Sequence, residues 1–380
     1  LRLKRGTALV AAASLALVGI AGTATAAPSP EGTAVGETAA GGRIDRAVVQ
    51  KALDDMVALG AQGVQVRLTD GRQQLTARAG TAERGSARPV PLNGRYRVGS
   101  ITKTFVSVVV LQLVGEGRIG LDEPISRHLP GLLPDGDRIT VRMLLQHTSG
   151  LYDYTNDLFA DIADFERLRW RTWQPAELVA LSTAKPLDFE PGSRWSYSNT
   201  NYVVLGELIA RTTGRPYGEA VERRVLKPLG LRDTSVPGTR VDIPGPHAHG
   251  YQRYTPEEFA DATRLNPSMA HAAGEIISTT ADTDRFVDAL LDGRLLKPAQ
   301  QAEMLRTTEL SPNYGLGIER MDVPCGKVAS GHSGGIPGYS SLMISTDDTR
   351  QRLELSVTTG PDLQGQPNEA LHALFTELFC

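Results

Sequence analysis

The run RIDRAVVQKALDDMVALG, Arg43 to Gly60, places its apolar residues at helical spacing and ends on a glycine, so it predicts an amphipathic helix. GVQVRLTDGRQQLTARAG, Gly63 to Gly80, then alternates apolar and polar around Asp70-Gly71, the pattern of a β-hairpin. From Ser100 to Val114 the chain is uninterrupted and apolar nearly all round. Its β-branched residues suit a buried strand, but its length and the stops at Gly115 and Gly117 predict a helix inside the core. Between about 120 and 265, helical patterns are broken by Pro and Gly clusters, and there is no internal repeat. Alternation returns in YGLGIERMDV (Tyr314 to Val323), SSLMIS and RLELSVTT, and the chain closes on an amphipathic helix, Asn368 to Phe379, with Leu371, Leu374, Phe375 and Leu378 on one face. A hairpin before the helical stretch and strands after it predict an α+β fold: one antiparallel sheet built from both chain ends, flanked by helices, with an all-helical region inserted. We expect a sheet domain from residues 43–119 and 266–380, and a mainly helical domain at 120–265.

The first 26 residues follow other rules. Arg2, Lys4 and Arg5 precede a short apolar run from Thr7 to Ile20, and Ala24-Thr25-Ala26 follows. That is the plan of a secretory signal peptide, and the run is too short to span a bilayer. Residues 27–42, dominated by Ala, Gly, Pro, Ser and Thr, read as a flexible lead-in. The expected location is extracellular, with no membrane anchor. Without the leader, 37 basic residues face 43 acidic ones, a balance that argues against nucleic acid as partner. Cys325 and Cys380 are the only cysteines. In an oxidising compartment they are expected to pair; the alternative is two buried thiols.

Candidate chemistry centres on RVGSITKTF, Arg97 to Phe105, in which Ser100 and Lys103 lie one helical turn apart. A hydroxyl at a helix N-terminus sits in a positive field, and burial there lowers the pKa of a nearby ammonium. A neutral lysine could then take the serine's proton and activate it for acyl transfer. A lone S-x-x-K is usually accidental. The second one, Ser182 to Lys185, precedes Pro186, which works against a shared helix face. RWSYSNTNY, Arg194 to Tyr202, adds Tyr197 and Asn199 pointing the same way from an extended lead-in. GHSGGIPGY, Gly331 to Tyr339, adds glycines that permit close backbone approach.

Serine-x-x-lysine, then Y-x-N, then H-x-G, in this order, resembles the serine penicillin-recognising enzymes, the group holding class C β-lactamases and DD-peptidases. Among them the exported actinomycete-type D-alanyl-D-alanine carboxypeptidases look closest. The likeness runs from about Arg43 to Cys380 and includes LLQHTSGLYDYTND and YGLGI. It implies a β-lactamase/transpeptidase-like fold and Ser100 as acylated nucleophile. Lys103 and Tyr197 would share proton transfer, and the N–H groups of Ser100 and Gly335 would form the oxyanion hole. Asn199, His332, Ser333 and Gly334 would bind substrate, as would Phe159, which suits plain core nearly as well. No metal or organic cofactor is implied. The implied partners are a peptidoglycan-type peptide or another small amide or ester, and β-lactams as acylating ligands.

The likeness weakens at the substrate's carboxylate end. Glu319 stands where relatives carry an Arg, Gly335 where they carry Thr, and Met269 where they carry Trp. Arg320 is adjacent, but one residue along a strand turns a side chain to the opposite face. The first expectation is a D-alanyl-D-alanine carboxypeptidase. The alternatives are a D-aminopeptidase or D-amino-acid amidase, an esterase, a class C-like β-lactamase, and a non-catalytic penicillin-binding sensor. GHSGG also fits the nucleophile elbow of α/β-hydrolases with Ser333 as nucleophile, but no helix is expected to follow it. His247, His249 and His271 lie in loop text without a carboxylate pattern, and His147 reads as structural.

Overall fold

The computed structural model describes residues 44–380 apart from 160, 256–257 and 360–367; the expected leader and lead-in lie outside the described residues. Helix α1 (Arg46–Ala58) begins where the Asp45 carboxylate accepts from Ala47 N–H at 2.7 Å, replacing a missing intrahelical acceptor. It buries Val49, Ala52, Leu53 and Met56. Strands β1 (Ala61–Asp70) and β2 (Gln73–Gly80) follow as the hairpin, with Gly71 at φ 58° in its turn. Strand β3 (Tyr96–Arg97) leads through a 3₁₀ turn, Gly99–Ile101, into α2 (Thr102–Gly115). Thr102 to Leu111 are all buried, which accounts for the lack of a polar face in that stretch.

The insert comprises α3 (Val141–Gln146), α4 (Ile162–Leu168), α5 (Pro175–Thr183), α6 (Asn199–Thr213), α7 (Tyr217–Val221) and α8 (Lys227–Leu229). A two-stranded ribbon, β4 (Tyr251–Arg253) with β5 (Phe259–Asp261), makes it helical in the main rather than throughout. Strand β6 (Ile277–Ser278) pairs with β3, and α9 (Thr280–Leu291) and α10 (Pro298–Leu305) precede the returning strands. These are β7 (Glu319–Val323), β8 (Lys327–Ile336), β9 (Tyr339–Thr346) and β10 (Gln351–Thr359), and α11 (Asn368–Phe379) ends the chain.

The main sheet runs β2-β1-β10-β9-β8-β7, all antiparallel, and the β1–β10 pair joins the two chain ends, with Val66 opposite Leu355. One face buries Val64, Val66, Leu353 and Leu355 in a cluster with Leu53 of α1 and Leu374 of α11. Helix α9 packs on the other, and its Phe286 stacks on Phe105 of α2 with ring centroids 3.6 Å apart. Cys380, just past α11, is disulfide-bonded to Cys325 in the β7–β8 turn. Strand β7 is shorter than its alternating text. Gly317 takes φ 76°, and a Cβ there would lie 1.8 Å from Ser107 Oγ, so Tyr314 to Ile318 form a turn pressed on α2.

The same close packing sets the serine beside β8. A Cβ on Gly99 would stand 2.6 Å from Gly335 N, and one on Gly334 would stand 2.0 Å from the Val98 carbonyl. These glycines let two backbones meet.

Candidate active site

Ser100 sits in the 3₁₀ turn, two residues before the α-helix that its spacing to Lys103 predicts. The pair still meets. Lys103 Nζ lies 2.9 Å from Ser100 Oγ, 2.8 Å from Asn199 Oδ1 and 2.7 Å from the Ala273 carbonyl. Two of those partners only accept, which occupies both N–H bonds of a neutral amine and leaves its lone pair for the serine hydroxyl. Burial favours that form: Lys103 has no exposed surface, and its pKa falls from 10.5 to about 7, with Asp153 and Glu319 opposing the fall.

Tyr197 is hydrogen-bonded to Ser100, and burial pushes its phenol well above its usual range, so it stays protonated at neutral pH. Asn199 opens α6 with its amide fully engaged: Oδ1 accepts from Lys103, while Nδ2 donates to Asp153 Oδ2 at 2.9 Å. In this state it holds the lysine.

His147, read as structural from its sequence, stands inside this group. It closes α3 at φ 61° and stacks on Tyr197 with ring centroids 4.2 Å apart. Its carbonyl accepts from Ser196 N–H at 3.0 Å and its Nδ1 from Ser198 N–H at 3.1 Å. Asp153 and Tyr314 also join the site unannounced. The apolar helix end before His147 was the one available sign of its position. Phe159 is buried at φ 54° and meets Phe165 edge-on at 5.4 Å, the core contact that its sequence also suits.

On β8, His332 is buried and carries no exposed cation. Its Nε2 faces the Tyr314 hydroxyl at 2.9 Å, and its Nδ1 faces the Ser333 carbonyl at 2.6 Å and Glu319 Oε1 at 3.3 Å. Burial lowers its pKa, so the ring is neutral with its proton on Nδ1, aimed at those two oxygens. Ser333 Oγ donates to Glu319 Oε1 at 2.7 Å. Glu319 pairs with Gly331 and Arg320 with Ser330 in unbroken register, so Arg320 turns the other way and binds Asp347 through both nitrogens at 3.0 Å. Met269 is buried, and its carbonyl accepts from Tyr154. The site therefore carries a carboxylate, Glu319, where the resemblance calls for a cation.

The competing motifs lie elsewhere or lack their context. Ser182 Oγ donates to the Tyr152 carbonyl while Lys185 reaches Asp157, so they make no pair. Ser333 lies within β8 and is followed by β9, a hairpin and not a strand-to-helix elbow. His247 stacks with His249, whereas His271 packs against Tyr217. Among the described residues no three His, Cys, Asp or Glu side chains are grouped to hold a metal ion.

A family model described as Beta-lactamase matches residues 49–361. Of the solved structures, a D-stereospecific amidohydrolase from Streptomyces sp. superposes with a TM-score of 0.80 at 44% identity, over 87% of this chain and 98% of that one. A D-amino acid amidase from Ochrobactrum anthropi SV3, complexed with L-phenylalanine amide, gives a TM-score of 0.77 at 31% identity, over 87% and 97%. Penicillin-binding protein 4* of Bacillus subtilis (strain 168) is 30% identical over 72% of this chain and 63% of its own. The chain spans about half to two thirds of the length of the curated relatives it matches first.

Proposed function

The chain belongs to the beta-lactamase family, and from that premise we propose that it hydrolyses amides of D-amino acids through an acyl-enzyme on Ser100. Neutral Lys103 takes the Ser100 proton as Oγ attacks the amide carbonyl, and the N–H groups of Ser100 and Gly335 hold the oxyanion. Collapse of the tetrahedral adduct returns the proton to the departing nitrogen, with the Tyr197 hydroxyl as relay. Water then attacks the ester by the same route, releasing the acid and restoring Ser100. The reaction consumes one amide and one water and yields one carboxylic acid and ammonia or an amine. No step calls for a metal or an organic cofactor.

One observation carries the choice of substrate: the Glu319 carboxylate, held by Ser333 beside a neutral His332, with Arg320 turned away. A carboxylate there accepts from the N–H of an amide leaving group and repels a leaving residue that ends in its own carboxylate. That weighs against the D-alanyl-D-alanine carboxypeptidase and the β-lactamase expectations. The names of the amidohydrolase and amidase relatives support the D-amino-acid class. Export is part of the same proposal, supported by the pattern of residues 1–26 and by a disulfide suited to an oxidising compartment.

The test is a substrate panel of D-alaninamide, D-phenylalaninamide, an acylated D-alanyl-D-alanine peptide and p-nitrophenyl butyrate, with Ser100→Ala beside the parent enzyme. We expect ammonia from the two amides, little cleavage of the peptide, and no turnover by the variant. Faster cleavage of the peptide than of the amides would sink the substrate reading. Activity retained in Ser100→Ala would sink the nucleophile.

A further inference from the structure

Tyr197 has no covalent or helical restraint of its own, since residues 195–198 lie between a turn and the start of α6. Lys103 Nζ stands 4.9 Å from the centre of the Tyr197 ring, and one residue grips the main chain on both sides of it. The carbonyl and the imidazole Nδ1 of His147 take the N–H groups on either side of Tyr197, from Ser196 and Ser198, and the ring lies against the phenol face. Asn201 Nδ2, also 3.1 Å from Nδ1, points its amide at the same atom. A backbone N–H can only donate, so Nδ1 keeps its lone pair and a neutral ring carries its proton on Nε2. Nε2 is buried with no hydrogen-bond partner among the described residues, and the His147 ring centre lies 5.3 and 5.0 Å from those of Tyr202 and Tyr314.

An imidazolium in that place would surrender the Nδ1 acceptor and add a positive charge beside Lys103. The groups that face it are Lys103 from α2, His332 from β8, and the phenols of Tyr197, Tyr202 and Tyr314. None is an anion. Burial, Lys103 and His332 all hold its pKa well below 6.5.

We infer that His147 is a positioning residue for Tyr197: as the uncharged Nε2–H tautomer it clamps the Ser196–Ser198 backbone and backs the phenol, keeping the hydroxyl on Ser100. The inference rests on the proposed roles of Ser100 and Tyr197, and it holds for any acyl substrate.

Two variants separate its two grips. His147→Phe keeps a ring against Tyr197 and loses the acceptor, whereas His147→Asn keeps an acceptor near the Nδ1 position and loses the ring. Turnover of p-nitrophenyl butyrate is measured per active site, the sites being counted by the mass of a fluorophosphonate adduct. We expect kcat per site to fall roughly 10- to 100-fold in at least one variant with KM little changed, since a misplacement of about 1 Å has that cost. A purely structural residue would instead lower melting temperature and the number of titratable sites. Both variants within about twofold of the parent per site would overturn the inference. Ser100→Ala in the same assay must be inactive; activity there would overturn the nucleophile and not His147 alone. Independently of folding in the variants, ¹⁵N shifts of histidine-labelled parent enzyme should give a Nε2–H tautomer that does not titrate through the ordinary histidine range. A Nδ1–H tautomer, or an ordinary titration in that window, would also overturn it.

Discussion

Replacing Glu319 by Gln removes one negative charge and keeps an oxygen for the Ser333 hydroxyl, which now donates to Glu319 Oε1 at 2.7 Å. The side chain is 23% exposed, so its field is only partly screened by water. A substrate carboxylate brought to about 4 Å meets a repulsion of about 4 kcal/mol at an effective dielectric constant near 20. Removing it should raise kcat/KM for an acylated D-alanyl-D-alanine peptide roughly 100- to 1000-fold relative to D-alaninamide. The neutral amide itself should change only a few-fold, through loss of a charged acceptor for its N–H. The assay follows both substrates with parent and Glu319→Gln enzyme at low ionic strength, and acylation by benzylpenicillin, followed by intact mass, provides a second carboxylate probe. A ratio unchanged within about twofold would mean that Glu319 does not face the leaving group, and the electrostatic argument would fail.

Lys103 ties rate to pH. With its pKa at about 7, the free base accumulates above neutrality, so kcat should rise with pH through that value, and Lys103→Arg should lose at least about 100-fold and the limb with it. The stability sign is opposite to that of a salt-bridged lysine: folding lowers this pKa, so the cost of the buried charge is full below about pH 7 and fades toward the unfolded value. Chemical denaturation between these limits should show stability rising with pH, and Lys103→Met should flatten the slope. Removing the Cys325–Cys380 link, 55 residues apart, should cost about 4 kcal/mol in the chain-entropy description, read as a lower urea midpoint. Gly334→Ala would push a Cβ onto the Val98 carbonyl; it should cost about 1–3 kcal/mol and separate β8 from the Ser100 turn, lowering kcat per titrated site as well as the melting temperature.

Local pattern carried far in this chain. A period of two makes neighbours on a strand face apart, which puts Glu319 and Arg320 on opposite sides, and Arg320 does bind Asp347 on the side away from Ser333. The spacing of Ser100 and Lys103 brings them together whether the serine lies in an α-helix or, as here, in a 3₁₀ turn. The terminal helix has its expected bounds because its apolar stripe is a property of twelve consecutive residues.

Contacts between distant segments left no such trace. The carbonyl that fixes one N–H of Lys103 belongs to Ala273, 170 residues away, and backbone carbonyls carry no residue identity. His147 and Tyr314 look like ordinary core residues until α3 and the turn before β7 place their rings against Tyr197 and His332. Asn199 joins Lys103 to Asp153, and Phe159 meets Phe165, across 96, 46 and 6 residues of chain, and none of these pairings shows in local pattern. The strand predicted across Tyr314 to Ile318 gives way to a turn because Gly317 can enter a space that Ser107 denies to any Cβ. Sequence alone determined the pairing of Ser100 with Lys103, the periodicity of the elements and the opposite faces of Glu319 and Arg320. Tertiary structure decided which neutral groups surround that pair, because burial and hydrogen-bond partners are set by segments far apart in the chain.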